Sequence, residues 1–367
     1  MLRSERPVSP ANRESGGEPS ARWKKRPDGS NWGHFGPDDE IGRLNLITSD
    51  KVKDGIAEVR EGITFCLSLP LELPGGNVLN PRRHPPVLHP TMRGSRPNYN
   101  FLLREEIPNA TDVISDDLVV LHLQYSTQWD SLAHVGQLFD ADADGIPEPV
   151  YYNGFRANVD IVGPLLDAAA ESATQDRTSS TRASRLGVHR MAEHGIQGRA
   201  VMIDLNAHFG DEPVSVGYEE LMRVVDADKV DVESGDMVCL HTGFAELLLQ
   251  RGGTPEAGMV STRCATLNGR DDKLLGWITD CGLACLISDN YAVEAHPPIV
   301  SREGSCAYLP LHEHCLFKLG VNLGELWRLS PLAHWLRRKH RYRFLLTAPP
   351  LRLTGAVGSP TTPIATV

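Results

Sequence analysis

Short apolar runs and amphipathic stretches alternate along most of the chain. Ala200–Leu205 (AVMIDL), Asp236–His241 (DMVCLH) and Leu283–Ser288 (LACLIS) are continuous apolar runs bounded by polar residues. That is the pattern of strands buried on both faces. Between them, Ser184–Glu193, YEELMRVVDA from Tyr218 and DDKLLGWITDC from Asp271 place apolar residues at helical spacing. Gly195 supplies a stop just past the first of these. YRFLLTA, from Tyr342, predicts a last strand before a Pro- and Gly-rich end. The alternation predicts an α/β domain. Two of its strands end in polar residues, at Asp204 and at Ser288 with Asp289, where α/β sheets place their chemistry. Residues 1–28 offer almost nothing to bury and predict a disordered or draped tail, leaving 29–367 as one domain.

The densest polar segment is LVVLHLQYSTQWDSLAHVG, Leu118–Gly136. Its first half alternates like a strand, which would put His122, Gln124 and Ser126 on one face. Gln124, Thr127, Gln128, Asp130 and His134 then follow closely, interleaved with Tyr125 and Trp129. Polar groups buried without partners cost about 1–3 kcal/mol each, so these must bind one another or a ligand. His134, whose ordinary imidazole exchanges protons near neutral pH, reads by itself as a satisfied core histidine and becomes the candidate acid/base only with a surrounding motif. Trp32, Phe35 and Trp129 would line an aromatic pocket or serve the core.

Charge and composition narrow the function. A net charge of −10 and a pI of about 5.8 argue against a nucleic-acid partner. The seven cysteines include no C-x-x-C pair and mostly sit in apolar runs, which predicts free thiols and a reduced, cytoplasmic setting. The first 25 residues lack an apolar targeting core, and no run reaches the ~20 apolar residues that a spanning helix needs, so no membrane partner is expected. No G-x-G-x-x-G, Walker loop or G-x-S-x-G elbow is present, so neither a nucleotide cofactor nor a serine triad is expected. DADADGIPEPVY, Asp140–Tyr151, opens like a calcium loop but has Tyr151 where the bidentate Glu should be, and reads as a solvated acidic turn. HWLRRKHRYR reads as a surface or subunit contact. In NPRRHPPVLHP, Arg82 and Arg83 either meet an anionic substrate group or belong to a solvated loop.

The polar segment resembles that of the cyclase and kynurenine-formamidase-like hydrolases, whose pattern is H-x-G-T-H-x-D-x-x-x-H. In that family two His and the Asp hold a divalent metal, and the last His is the acid/base. Here the pattern reads Gln124-Tyr125-Ser126-Thr127-Gln128-Trp129-Asp130 and then His134, so Asp130 and His134 match while Gln replaces both metal-ligand His. NWGHFGPDDEIGRLNLIT (Asn31–Thr48), HGIQGRAVMIDL and VESGDMVCLHTGF are similar to further family segments. LPLHEHCLFKLG and GVNLGELWRL are similar to those holding its late ligands, here His312 and Glu325. The resemblance implies a compact mixed-sheet α/β domain of the swivelling β/β/α type, assembled as a homodimer or homotetramer. It also implies hydrolysis of an amide, lactam or ester in a small cyclic or aryl substrate. Asp130 and His134 would be catalytic, with Gln124, Gln128, Trp129, Trp32 and Glu294 around the substrate. Asp130, His312 and Glu325 would hold Mn, Zn or Mg. Amide oxygens suit hard cations better than zinc. The two Gln also leave open a metal-free pocket, a cyclase or dehydratase that consumes no water, and a non-catalytic small-molecule binder.

Overall fold

The three apolar runs of the central chain enter one sheet. The computed structural model describes residues 22–164, 179–297 and 306–367. Nine strands build the sheet: β1 (Thr64–Cys66), β2 (Gln128–Asp130), β3 (Gln197–Asp204), β4 (Met237–His241), β5 (Cys285–Ser288), β6 (Asn322–Glu325), β7 (Arg343–Thr347), β8 (Gly358–Pro360) and β9 (Ile364–Thr366). Their order is β1-β9-β7-β3-β4-β5-β6-β2-β8. The middle four, β3 to β6, run parallel, and the flanking pairs are antiparallel. Strands β4 and β5 are buried at every position, which is why their sequences show no polar alternation.

Side chains on alternate positions feed two cores on opposite faces. Val201, Ile203, Val238, Leu240 and Leu286 join one, while Ala200, Met202, Met237, Cys239 and Ile287 join the other. Helices α1 (Ser49–Ala57), α2 (Val188–His194), α3 (Tyr218–Asp228), α4 (Asp272–Asp280) and α5 (Ser330–Arg338) accompany the sheet. Asp271 caps α4, accepting from the Lys273 and Leu274 amides, and also accepts from Tyr218 N at 2.8 Å, so one carboxylate ties the starts of α3 and α4. The helix expected from Ser184 begins only at Val188, because Leu186 is buried with φ +61° and Gly187 is extended. Its stop falls at Gly195, φ +79°, as expected.

Two expected boundaries move. The chain is packed well before residue 29: Trp23 is buried edge-on against Trp32 with centroids 5.8 Å apart, and Lys24 N donates to Ala141 O at 2.7 Å. Two aromatic rings and a tied backbone outweigh the polar composition around them; residues 1–21 of the expected tail lie outside the described residues. The strand expected from Leu118 breaks after Val120, and pairing resumes only at Gln128. Asp117–Val120 instead pairs with Val87–Pro90 in a two-stranded ribbon exposed along its length. Residues Leu121–Thr127 turn the chain from that ribbon into the sheet, so His122 is exposed and Ser126 donates to Pro70 O rather than sharing a face with His122.

Candidate active site

Register puts the first two site residues in place. In the antiparallel pair β2–β6, Gln128 lies opposite Glu325 and Asp130 opposite Leu323, so Gln128, Asp130 and Glu325 share a face. Trp129 points to the other face, fully buried, where its Nε1 donates to Ala348 O at 2.7 Å and its ring packs edge-on to Trp327. Thr127 locks the entry into β2: its Oγ1 donates to Leu326 O at 2.6 Å and accepts from Leu69 N at 2.8 Å.

His312 arrives from a distant segment, Pro310–His312, and is held by Glu294. Glu294 Oε1 accepts from the His312 ring Nδ1 at 2.7 Å and from its backbone N at 3.0 Å, while Oε2 accepts from Leu311 N at 3.1 Å. The carboxylate fits because Gly269 stands beside it; a Cβ there would lie 2.6 Å from Glu294 Oε2. With Nδ1 engaged, Nε2 faces Glu325 Oε1 at 3.4 Å. Gln128 Nε2 donates to the other Glu325 oxygen at 2.9 Å. One ligand atom from each of Asp130, His312 and Glu325 falls within 4.8 Å of the others. His134, on the turn after β2, brings Nε2 to 3.9 Å from Asp130 Oδ2, and with 22% of its side chain accessible it forms the open side of the group.

The cluster holds more buried acceptors than donors. Both Asp130 carboxylate oxygens, Gln128 Oε1 and Glu325 Oε1 are buried without a hydrogen-bond donor. Leaving four acceptors unmet is expensive, and all are oxygens. Burial and the Asp130 charge push the Glu325 carboxyl up to about 7, against the pull of His312. Burial opposes charge on His312, yet its hydrogen bond to Glu294 and the nearby Glu325 carboxylate outweigh that and raise it to about 10. Burial dominates at His134 and holds its pKa below the usual value despite Asp130, so the ring is neutral at pH 7. The residues fit a divalent cation: two carboxylates and an amide oxygen with one imidazole, whose second nitrogen is fixed by a carboxylate.

The structure therefore brings together Asp130, His134, Gln128, Glu294, His312 and Glu325. Gln124 lies nearby, since its amide packs against Gly358, which pairs with Asp130 on β8. Trp32 and Trp129 do not join the group. Trp32 is fully buried among Trp23, Phe139 and Phe317 and donates to Phe317 O at 2.7 Å, so both indoles expected at the substrate serve the core. Asn322, unmarked in the sequence reading, donates to Asp130 O at 3.1 Å from the neighbouring strand; only strand pairing reveals it. In the acidic turn Asp140 accepts from its own loop amides and Arg156 engages Asp142 and Glu148, and one ligand atom from each of Asp140, Asp142 and Glu148 lies within 4.8 Å of the others. A cleft of about 470 Å³ lies elsewhere, lined in part by Asp204, Asp228 and Arg337. Its carboxylates are already paired, Asp204 with His241 and Arg337 and Asp228 with His208.

A mixed parallel and antiparallel sheet carries a buried His-carboxylate-amide cluster at its β2–β6 pair, in an α/β domain. The model of the Cyclase family matches residues 67–295, and the chain belongs to that family. A crystal structure described as a novel cyclase is similar over 95% of this chain and 99% of its own, with 25% identity and a TM-score of 0.70. The structure of isatin hydrolase A from Ralstonia solanacearum is similar over 86% of this chain and 95% of its own, with 13% identity and a TM-score of 0.50, a likeness of fold. No curated protein matches the chain in sequence. No helix among the described residues is long and apolar enough to cross a membrane.

Proposed function

We propose that the chain is a hydrolase that opens an amide, lactam or ester bond of a small cyclic or aryl substrate, with Asp130 and His134 at the reacting centre. The observation that carries this reading is the set of four buried, donor-less oxygens facing a half-buried, neutral imidazole. Asp130, His312 and Glu325, with Gln128 Oε1, would hold a divalent cation. Such an ion supplies carbonyl polarisation and a lower pKa for water. The oxygen-rich set favours manganese or magnesium over zinc. Glu294 keeps the His312 ring turned so that Nε2 faces the ligands. His134, neutral at pH 7, takes the proton from the attacking water while Asp130 orients it. The same imidazole then delivers that proton to the departing nitrogen or oxygen, leaving a carboxylic acid and an amine or alcohol. Membership of the Cyclase family and the fold shared with an isatin hydrolase support the reading.

Incubation with an N-formyl aryl amine, an isatin-type lactam and an aryl ester, read by mass spectrometry with and without manganese, tests it. Gain of one water on at least one of them, dependent on metal, is expected. Loss of water, or rearrangement at constant mass, would instead mark a cyclase or dehydratase. We further propose a cytoplasmic homodimer in which a second copy covers the exposed ribbon, whose Val87, Leu88, Leu118, Val119 and Val120 are all open. A lone two-stranded ribbon is marginal in water, and apolar patches of this kind mark contacts. A monomer mass by light scattering would refute the dimer.

A further inference from the structure

Arg83 is a cation at the rim of the site without a carboxylate of its own. It lies on the Pro-rich segment that follows Asn80, and its Nη1 donates to Gln124 O at 2.6 Å, on the turn that leads into β2. Among the described residues no ion pair includes it. With Asn80, Tyr125 and Tyr291 it lines a small cavity. Its charge is felt across the site: burial is the main influence on the pKa values of His134, Glu325, Tyr291 and His296, and Arg83 contributes to all four. Four groups on three separate segments, 134, 291–296 and 325, thus lie within reach of its charge. A loop-bracing arginine needs the single bond to Gln124 O; the remaining N–H donors form a planar fork that matches a carboxylate.

We propose that Arg83 recognises a carboxylate on the substrate, at the end away from the bond that is cleaved, so that the substrate class is a small carboxylated amide, lactam or ester. Arg83 lines its cavity with Tyr125 and Tyr291, none of which is among Asp130, His312 and Glu325, so the recognised anion and the reacting carbonyl would meet different residues. The proposal rests on reading the site as a substrate pocket.

The test is binding of benzoate and of benzyl alcohol, a neutral analogue, to the full-length protein by isothermal titration calorimetry. Neither probe can be hydrolysed, so failure of the hydrolysis panel would end the proposed activity and leave this measurement intact. The wild-type protein is expected to hold benzoate more tightly than benzyl alcohol. Arg83→Gln should weaken benzoate by at least about tenfold, the worth of a charge-assisted pair, and leave benzyl alcohol within about twofold. Arg83→Lys, which keeps the charge but loses the fork, should fall between, and it carries the test if the Gln variant does not fold. Equal benzoate affinity in wild type and variants, or no benzoate binding to the wild type, overturns the proposal.

Discussion

Two buried histidines sit among carboxylates in this molecule, and they differ in what is left over. At the end of β4, His241 bonds Asp204 Oδ1 at 2.7 Å and Ser330 Oγ at 2.9 Å; Arg337 Nε holds the second Asp204 oxygen at 3.0 Å. Nearby Asp289 accepts from Thr242 N, Thr242 Oγ1 and Gly243 N. Every acceptor has its donor, and the order Ser330–His241–Asp204 has the outline of a hydrolytic triad. The serine is buried, however, and burial of His241 is outweighed by Asp204 and Asp289, which raise its pKa and favour a ring that already holds its proton. Around His312 the same residue types leave four oxygens unmet and an imidazole at the open side. A satisfied network holds strands together, whereas an unsatisfied one is arranged for something that arrives from outside.

This contrast can be broken experimentally. Asp204→Asn strips the carboxylate from buried His241 and from Arg337 and should destabilise the fold by roughly 3–5 kcal/mol in urea unfolding, with kcat of the remaining folded fraction unchanged. A loss of turnover without loss of stability would move chemistry to the wrong cluster. His134→Ala should lower kcat at least about a hundredfold on whichever substrate the panel identifies, with an unaltered unfolding midpoint. Glu294→Gln, acting through the His312 ring and the Leu311 and His312 amides that it holds, should weaken manganese binding about 10–100-fold by calorimetry. Ser330→Ala should cost about 1 kcal/mol of stability and nothing in metal affinity.

Acidity should act on the two clusters with opposite sign. Burial opposes the Asp204 carboxylate, but His241 and Arg337 hold its pKa at about 2 against an ordinary 3.8. Its contribution to stability is therefore present above 3.8 and lost as pH falls through 2. Glu325 is raised from 4.5 to about 7, so in metal-free protein its contribution is complete below 4.5 and lost as pH rises through 7. A bound cation displaces that proton, and the apparent manganese affinity should fall as pH drops below about 7, with proton release that depends on pH in calorimetry. Affinity independent of pH between 5 and 8 would remove Glu325 from the ligand set.

The apolar runs alone were enough to specify the central strands, because residues buried on both faces cannot alternate and strands β3, β4 and β5 were visible as such. Asp130 stood out because polar residues packed beside a strand require partners, whereas His134 stood out only through the resemblance. Local pattern could not show that Leu118–Asp130 breaks in two, because exposed Val and Leu in the ribbon look like core in sequence. Nor could it separate Trp129 from Gln128 and Asp130; that depends on which face of β2 meets β6. The His312 and Glu325 positions were reached through resemblance, while Asn322 escaped notice and Asp204 and Asp289 stood out only as polar strand ends, without the partners that satisfy them, because those partners lie tens to hundreds of residues away in the chain. Composition and hydrophobic period are properties of neighbours along the chain and determined the elements. Which carboxylates are satisfied and which are left facing a pocket is a property of neighbours in space, and only strand register and long-range packing decided it.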